Sequence, residues 1–423
     1  MYLCTNLELN SKFVQHKGMT YIYRTLSSVI NTTNESFCVL LLNGQRQVGK
    51  STLLKNLCKD TNRKMVTLDD VQFRELAQKD PALFLQRFEP PVLIDEVQYA
   101  PQLFPYIKMY VDKHKDEKGA FWLTGSQKYK MMEGVQESLA GRVAILDLFG
   151  FSFAEKEGIT EIEPFIPSFK VKTVERKYTL NTVFRKIWEG SLPELFVNEK
   201  INRELYYSSY IQTYIERDVK DFYNVAKPVQ FFNFLQTIAA QTGNLINYSK
   251  IANDIGVDVK TIQTWTGILE RSGLVYLLYP YYANISKRII KTPKIYFLDT
   301  GLCCYLTKWT SPETLLYGAM SGNILETYVV GEILKSYYHN GKEPALYFYR
   351  DNHKNEIDLI IEQDNTLFPI EIKQTANPQF SDYKAFKLLE LFDKNAGLGA
   401  VVCFASERIP LSREVVSIPV WEI

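Results

Sequence analysis

The chain has 423 residues, with 49 Lys plus Arg against 48 Asp plus Glu, a formal net charge of +1. Hydrophobic residues make up 46% and charged residues 23%, a globular composition that argues against disorder and excludes a polybasic, histone-like protein. At roughly 150 residues per domain, the length predicts two to four domains.

The longest apolar runs, such as Cys38–Leu42 and Pro91–Ile94, fall far short of the roughly 20 residues a membrane helix needs. Met1–Asn10 has no basic stretch leading into an apolar core, so no secretory signal is expected. Cys4, Cys38, Cys58, Cys303, Cys304 and Cys403 show no CxxC spacing, and the histidines are few and scattered, so no zinc site is expected. The expectation is a reduced, cytoplasmic protein with no membrane partner.

Residues 1–160 alternate strand and helix. Phe37–Asn43 reads as a strand ending in a glycine loop, and Gly49–Lys59 has helical periodicity. Strands follow at Lys64–Leu68, Pro91–Ile94, Ala120–Leu123 and Val143–Leu148, with helices such as Pro81–Phe88 and Phe104–His114 between them. This rhythm predicts an α/β class with a parallel sheet and helices on both faces.

Residues 161–320 read as a connector followed by a helical and winged-helix region. Glu155–Arg176 has no strong period. Asn181 to about Gln241 is helical, and its aromatic stripe (Tyr206, Tyr207, Tyr210, Tyr214, Phe222, Tyr223) reads as helix packing. In Ile246–Pro280, Ser249 is the expected cap of Lys250–Ile255 and Gly256 its stop. Asp258 is expected to cap Val259–Arg271, Gly273 to end it, and Leu274–Leu278 to be a strand. Helix, turn, helix, strand is a winged-helix pattern.

Residues 321–423 predict a small α/β domain. Its elements are a helix at Ile324–Tyr338, strands at Leu346–Arg350, Glu356–Glu362 and Leu367–Lys373, a helix at Ser381–Asp393 and a strand at Ala400–Phe404.

Gly44-Gln45-Arg46-Gln47-Val48-Gly49-Lys50-Ser51, followed by Thr52, fits GxxxxGK[ST] between a strand and a helix. Glycines let backbone N–H groups wrap phosphates, and the helix N-terminus adds positive potential. Lys50 reaches the β- and γ-phosphates of ATP, and Ser51 offers its hydroxyl to Mg²⁺. Val92–Ile94 delivers Asp95 to a strand end, where it holds Mg²⁺, and Glu96 follows to polarise the attacking water. That pairing favours a hydrolase over a kinase. The next strand ends Leu123-Thr124-Gly125-Ser126-Gln127, so Thr124 or Ser126 is placed to sense the γ-phosphate. Arg142, before the fifth strand, is a candidate for transition-state charge, in cis or from a neighbouring subunit of a homo-oligomer, with a structural ion pair as the alternative.

The run from Gly44 through Arg142 (GQRQVGKST, LDD, KDP, LIDEVQYAPQLF, LTGSQ, ESLAGR) resembles the prokaryotic AAA-type ATPases that carry a second, poorly characterised C-terminal region. Glu189–Pro193, Tyr214–Val219 and Thr292–Leu302 resemble parts of that region, so the likeness spans nearly the whole chain from about residue 17. It implies ATP hydrolysis and leaves the physiological role open.

Near the C-terminus, Glu356-Ile357-Asp358 and Pro369-Ile370-Glu371-Ile372-Lys373 resemble the PD-(D/E)xK nuclease core, a restriction-endonuclease-like fold. Period two puts Glu371 and Lys373 on one strand face, and a hairpin brings Asp358 beside them. Two carboxylates are a Mg²⁺-binding set, with Glu326 a further ligand, Gln374 lining the site and Lys373 orienting or deprotonating the nucleophile. Lys287, Arg288, Lys291 and Lys294, with no acid from Asn284 to Lys294, form a basic wing suited to phosphate contacts, with a solvated strand or contacts to the ATPase domain as the alternatives. The expected function is a Mg²⁺-dependent ATPase whose nucleotide state controls a DNA-contacting module. The alternatives are an ATP-gated protein-interaction switch with an inert nuclease-like domain, and an ATP-regulated metal-dependent DNase.

Overall fold

The computed structural model of the protein describes residues 14–16, 19–125, 131, 134–135, 137–160, 162–170, 178–213, 227–282, 291–353 and 355–423. A short hairpin, β1 (Val14–His16) and β2 (Met19–Tyr21), precedes the helix Leu26–Asn34. Then β3 (Val39–Asn43), β4 (Lys64–Thr67), β5 (Val92–Asp95), β6 (Phe121–Thr124) and β7 (Val143–Asp147) form one parallel sheet in the order β4-β5-β6-β3-β7. β3, β5 and β6 are buried at every position, as interior strands of a covered parallel sheet must be, and this explains their unbroken apolar runs. After β3 the chain crosses to the far edge, while β7 lies on the other side of β3. A crevice therefore opens at the carboxyl end of β3, where the glycine loop begins.

The helices Leu180–Glu189, Pro193–Val197, Arg203–Thr213 and Pro228–Ala240 come next. They lead to β8 (Asn244–Leu245), the helix pair Tyr248–Ile255 and Val259–Arg271, and the antiparallel strands β9 (Val275–Pro280) and β10 (Lys294–Phe297). Asp258 caps the second helix as expected, accepting from the Thr261 N–H at 2.8 Å. The cap of the first is Asn247, not Ser249. The Asn247 side chain accepts from the Lys250 N–H at 2.9 Å, and Ser249 lies one residue inside the first turn, past the capping position.

The long helix Ser321–Tyr338 is followed by β11 (Ala345–Arg350), β12 (Glu356–Gln363), β13 (Thr366–Ile372), β14 (Asn395–Ala396), β15 (Gly399–Cys403), β16 (Ile409–Pro410) and β17 (Val415–Pro419). These strands share one sheet with the middle region, in the order β16-β17-β15-β13-β12-β11-β9-β10-β8, with β14 beside β13. β11 pairs parallel with β9, Tyr347 opposite Tyr279, so the sheet runs across the boundary expected at residues 320 and 321. The helix expected at Ser381–Asp393 is instead a short α-turn, Phe380–Tyr383, running into a 3₁₀ segment, Lys384–Leu391. Its buried residues, Phe386 and Leu389, are three apart, a spacing that three residues per turn places on one side. One apolar cluster contains Leu40 and Trp122 from the first sheet, Phe231 and Trp265 from the middle helices, and Val329, Ile370 and Trp421 from the C-terminal part. Among the described residues no helix is long and apolar enough to cross a membrane.

Residues 151–165, which leave the first sheet, are stitched to the long helix. Glu332 Oε2 accepts from the Phe153 N–H at 2.7 Å, and Lys335 Nζ donates to the Phe151 carbonyl at 3.1 Å and to Glu332 at 2.8 Å. Ser336 Oγ accepts from the Phe165 N–H at 3.0 Å, and Asn340 donates to the Ile162 carbonyl at 2.9 Å. Just beyond the helix lies His339, 1% exposed, with Nδ1 3.4 Å from Glu155 Oε1 and no hydrogen-bond partner on either nitrogen among the described residues. Burial pushes its pKa down to about 4; the Glu155 charge opposes this, while Arg24 and Lys335 add to it.

With the folded pKa below the unfolded value of 6.5, unfolding takes up a proton between those limits, so stability from this group is lost as pH falls through that window. Acidification from neutral to about pH 4.5 should cost the parent about 2 kcal/mol more than it costs His339→Gln. Urea denaturation of both chains at the two pH values checks this, and equal losses would show that another group carries the acid sensitivity.

Candidate functional site

The glycine loop has the local geometry its sequence requires. Gly44 has φ +150°, and a Cβ there would lie 2.2 Å from the Leu148 carbonyl oxygen. Gly49 has φ +91° and starts the helix Lys50–Cys58, which points its first N–H groups into the crevice. Lys50 Nζ donates to the carbonyls of Gly44 and Gln45, both at 2.8 Å. Ser51 Oγ donates to Asp95 Oδ1 at 2.9 Å, so the two side chains chosen for Mg²⁺ lie side by side. Burial pushes the Asp95 carboxyl above its usual range; the Ser51 hydroxyl opposes this and the Glu96 charge adds to it. A hydroxyl oxygen beside a carboxylate is the kind of hard donor set that would hold Mg²⁺, so these residues fit that ion. Thr52 is exposed in the first helical turn.

Glu96 sits in the left-handed region, φ 58°, at the tip of β5, and the Gln98 amide donates to its Oε2. Three buried polar groups converge on the same end of the sheet. Thr124 Oγ1 has no partner among the described residues, nor do Gln98 Oε1 and both side-chain atoms of Asn43. Thr124 lies opposite Leu42, one residue before Asn43. Buried polar atoms in this state ask for a ligand or water. Asn43 and Gln98 escaped the sequence reading, although an Asn ending the apolar run Val39–Leu42 was a visible signal. Gln45 Nε2 donates to Tyr210 Oη at 2.7 Å, so one member of the aromatic stripe does more than pack: it roofs the loop. Ser126 lies outside the described residues, as do Tyr214–Val219 and the Lys287–Arg288 pair.

Arg24 also escaped the sequence reading. It is 3% exposed and holds the back of the loop. Its Nη1 donates to the Val48 carbonyl at 2.8 Å, its Nη2 to Phe149 O at 2.7 Å, and its Nε to Glu155 Oε1 at 3.1 Å.

A cis role for Arg142 does not survive. Val143 pairs with Val39 and Asp147 with Asn43, so Arg142 stands at the amino end of the sheet while the glycine loop leaves the carboxyl end. At about 3.3 Å per residue the strand separates them by roughly 15 Å. Arg142 Nε donates to Asp112 Oδ1 at 2.7 Å, the structural ion pair.

The stretches Glu189–Pro193 and Thr292–Leu302 interlock. Asp299 accepts from the Ser191 N–H at 2.6 Å, Ser191 Oγ at 2.8 Å, Tyr207 Oη at 2.9 Å and the Leu302 N–H at 2.6 Å. A Cβ on Gly190 would meet that carboxylate at 2.9 Å. Their role is architectural.

The C-terminal residues do come together. The β12–β13 register, Leu359 opposite Ile370, continues to place Asp358 opposite Glu371. Asp358 Oδ2 accepts from the Ile372 N–H at 2.9 Å. Lys373 Nζ bonds Glu371 Oε1 and lies 3.9 Å from Asp358 Oδ2. Glu326, on the long helix, accepts from Lys294 Nζ at 3.0 Å and Tyr296 Oη at 2.6 Å. Burial and then the Asp358 charge push the Glu371 carboxyl up to about 8, against Lys373. The same two causes raise Glu326 to about 7, against Lys294 and Tyr296. The metal expectation for Glu326, Asp358 and Glu371 fails on geometry: among the described residues no three His, Cys, Asp or Glu side chains are arranged to hold an ion. Ammonium groups, a tyrosine hydroxyl and a backbone N–H take up carboxylate oxygens there instead, while Glu371 Oε2 has no partner among the described residues. Lys294, read as a phosphate contact, is 3% exposed and committed to Glu326 and Glu356, so it is not part of a DNA-facing wing.

Three stretches of the chain match domain models. Residues 36–157 match the model of an AAA domain, residues 181–313 a domain of unknown function (DUF8612) and residues 321–423 another domain of unknown function (DUF4143). An uncharacterised protein of Mycobacterium tuberculosis is 29% identical over 389 residues, covering 91% of this chain and 80% of the relative. An uncharacterised protein of Methanocaldococcus jannaschii is 23% identical over 336 residues, covering 70% and 67%. Among solved structures, the Walker-type ATPase PABY2304 of Pyrococcus abyssi has a TM-score of 0.41 at 14% identity, over 66% of this chain and 94% of that one. The RuvB Holliday junction branch migration motor of Thermotoga maritima has a TM-score of 0.29 at 15% identity, over 59% and 88%. The AAA match and the loop geometry agree: residues 36–157 are similar to an AAA domain and carry a P-loop of the kind that binds ATP.

Proposed function

We propose that the protein is a Mg²⁺-dependent ATPase whose nucleotide state controls a DNA-contacting module built from its middle and C-terminal regions. The observation that carries the control is the single guanidinium of Arg24. It grips Val48 inside the glycine loop and, through Glu155, abuts His339 at the end of the long C-terminal helix. A change in the loop is thereby felt where the C-terminal part docks.

In the reaction, Lys50 leaves its two carbonyl partners for the β- and γ-phosphate oxygens. Ser51 and Asp95 would hold Mg²⁺, which supplies charge neutralisation at those phosphates. Glu96, steadied by Gln98, takes a proton from the water that attacks the γ-phosphorus, and the bond to the leaving oxygen of ADP breaks. Thr124 and Asn43 offer polar atoms to the same end of the sheet. On the DNA side, the second helix of the helix pair exposes Lys260, Gln263 and Thr264, side chains able to meet phosphates and base edges. The region resembles a winged helix, and the C-terminal part a nuclease-like fold. The commitment of Lys294 and Lys373 to the carboxylate cluster favours an inert nuclease-like domain, and so a protein-interaction switch, over a DNase as the second reading.

Lys50→Ala should weaken ATP binding by at least about tenfold, because the phosphates lose their cation. Glu96→Gln should bind ATP like the parent and release phosphate about 100-fold more slowly. Nucleotide titration and phosphate-release assays check both; normal turnover by Glu96→Gln would remove Glu96 as the base.

DNA affinity should fall steeply with added salt and shift about tenfold between the nucleotide-free chain and the chain saturated with a non-hydrolysable ATP analogue. In Arg24→Gln at saturating nucleotide that shift should shrink to within about twofold. Fluorescence anisotropy on duplex DNA reads this. No binding at low salt sinks the DNA assignment, and an unchanged shift in Arg24→Gln sinks the route through Arg24.

A further inference from the structure

Gln98 carries an atom that the ATPase chemistry leaves unused. Glu96 adopts φ 58° at the tip of β5, a costly conformation for a residue with a side chain, and the 3₁₀ turn Val97–Tyr99 that follows folds Gln98 back beside it. A carboxylate only accepts, so the Gln98 amide must turn its N–H to Glu96 Oε2, and its oxygen faces the other way. That oxygen is buried, its residue being 5% exposed, and has no hydrogen-bond partner among the described residues. It lies against Gly125, directly after β6. A Cβ on Gly125 would come within 2.1 Å of Gln98 Oε1 and 3.2 Å of Cδ, so this close approach depends on residue 125 being glycine. The β5–β6 register, Ile94 opposite Leu123, continues to set Asp95 beside Thr124 and Glu96 beside Gly125. Thr124 Oγ1 is open in the same sense, so the two groups do not bond each other. An unmet buried acceptor is costly, and its retention beside Glu96 asks for a donor that arrives with the substrate.

We infer that Gln98 Oε1 is the second acceptor for the attacking water, which makes Gln98 a catalytic residue and not only the support of Glu96. The inference rests on the ATPase reading and names a further group in the same site. A water aimed at phosphorus has two protons to place. With one donated to Glu96 and the other to Gln98 Oε1, its lone pair is held towards the γ-phosphorus. The water oxygen forms its bond to phosphorus, the proton facing Glu96 passes to that carboxylate, and the bond to the leaving oxygen of ADP breaks. The second proton stays on the new phosphate, still donated to Gln98. An amide oxygen is too weak a base to take a proton at neutral pH, so Gln98 orients the water while Glu96 abstracts.

The test is single-turnover phosphate release with the full chain in excess over ATP and Mg²⁺ present, alongside ATP titration and thermal melting of each variant. Gln98→Leu should bind ATP within about twofold of the parent and release phosphate about 100-fold more slowly. Gly125→Ala should do the same with Gln98 intact, since the new Cβ displaces the amide oxygen. Gln98→Leu added to Glu96→Gln should slow release about tenfold further, because the water loses the acceptor that Glu96→Gln leaves untouched. A residue that only steadies Glu96 adds nothing in that background, and this result overturns the inference. Normal release by either single variant, folded, overturns it too. So does loss of ATP binding or of the fold in both Gln98→Leu and Gly125→Ala, which would mark the contact as structural. A parent chain that hydrolyses no ATP fails the ATPase reading and takes the inference with it; every other negative result leaves that reading in place.

Discussion

A buried guanidinium, Arg24, is the point on which the arrangement of the parts depends. Its donors are spent on four groups from three places: Val48 of the glycine loop, Phe149 and Gly150 beyond the last strand of the first sheet, and Glu155 where the chain turns towards the C-terminal helix. Only a planar fork reaches that many acceptors at once; a lysine has one nitrogen. Glu155 completes the set by accepting from the backbone N–H groups of Thr25 and Ser152. Loop shape and domain docking therefore share one ion pair, and neither can be altered without loading the other.

The protein holds buried carboxylates in two electrostatic conditions, and the contrast locates its adjustable chemistry. Burial raises the proton affinity of Glu155, yet Arg24, with further help from His339 and two backbone N–H groups, brings its pKa below the ordinary value. Glu371 is nearly as buried but faces the negative Asp358 and has one lysine, so it is pushed up to about 8. Burial is common to both; the number of donors decides. The joint between the parts carries a fixed charge, while the C-terminal cluster carries one that changes near neutral pH.

What the sequence disclosed follows from the range of the interactions involved. The glycine loop, Asp95 and Glu96 act through local backbone geometry, so spacing along the chain was enough to place them. Asp358 and Glu371 were also legible, because neighbouring strands of a hairpin convert period two into adjacency. For Arg142, left open between a cis role, a trans role and a structural ion pair, the signal against the cis role was present: a residue preceding a strand of a parallel sheet sits at the end opposite the P-loop. Lys294 read as a phosphate contact because its run is basic and holds no acid, yet its partners, Glu326 and Glu356, lie 32 and 62 residues away in positions that only the joined sheet reveals. Arg24 left no trace at all, since its ligands are backbone carbonyls, which no residue type announces.

The long helix Ser321–Tyr338 turns these separate sites into one mechanical problem. Every residue from Leu325 to Tyr337 except Glu326 is buried, so the helix cannot bend or slip without repacking the core on all sides. Glu326 stands near its start, and His339 lies 13 residues further on, just past its end. At about 1.5 Å per residue they are roughly 20 Å apart along a rigid rod. One end touches the carboxylate cluster through Lys294, and the other touches the glycine loop through Glu155 and Arg24. The middle region reaches the same loop from above, with Tyr210 on Gln45 and Pro193 beside Gly49. Because β10, which carries Lys294, belongs to that middle region, both partners of the Lys294–Glu326 pair sit on parts of the chain that also touch the glycine loop.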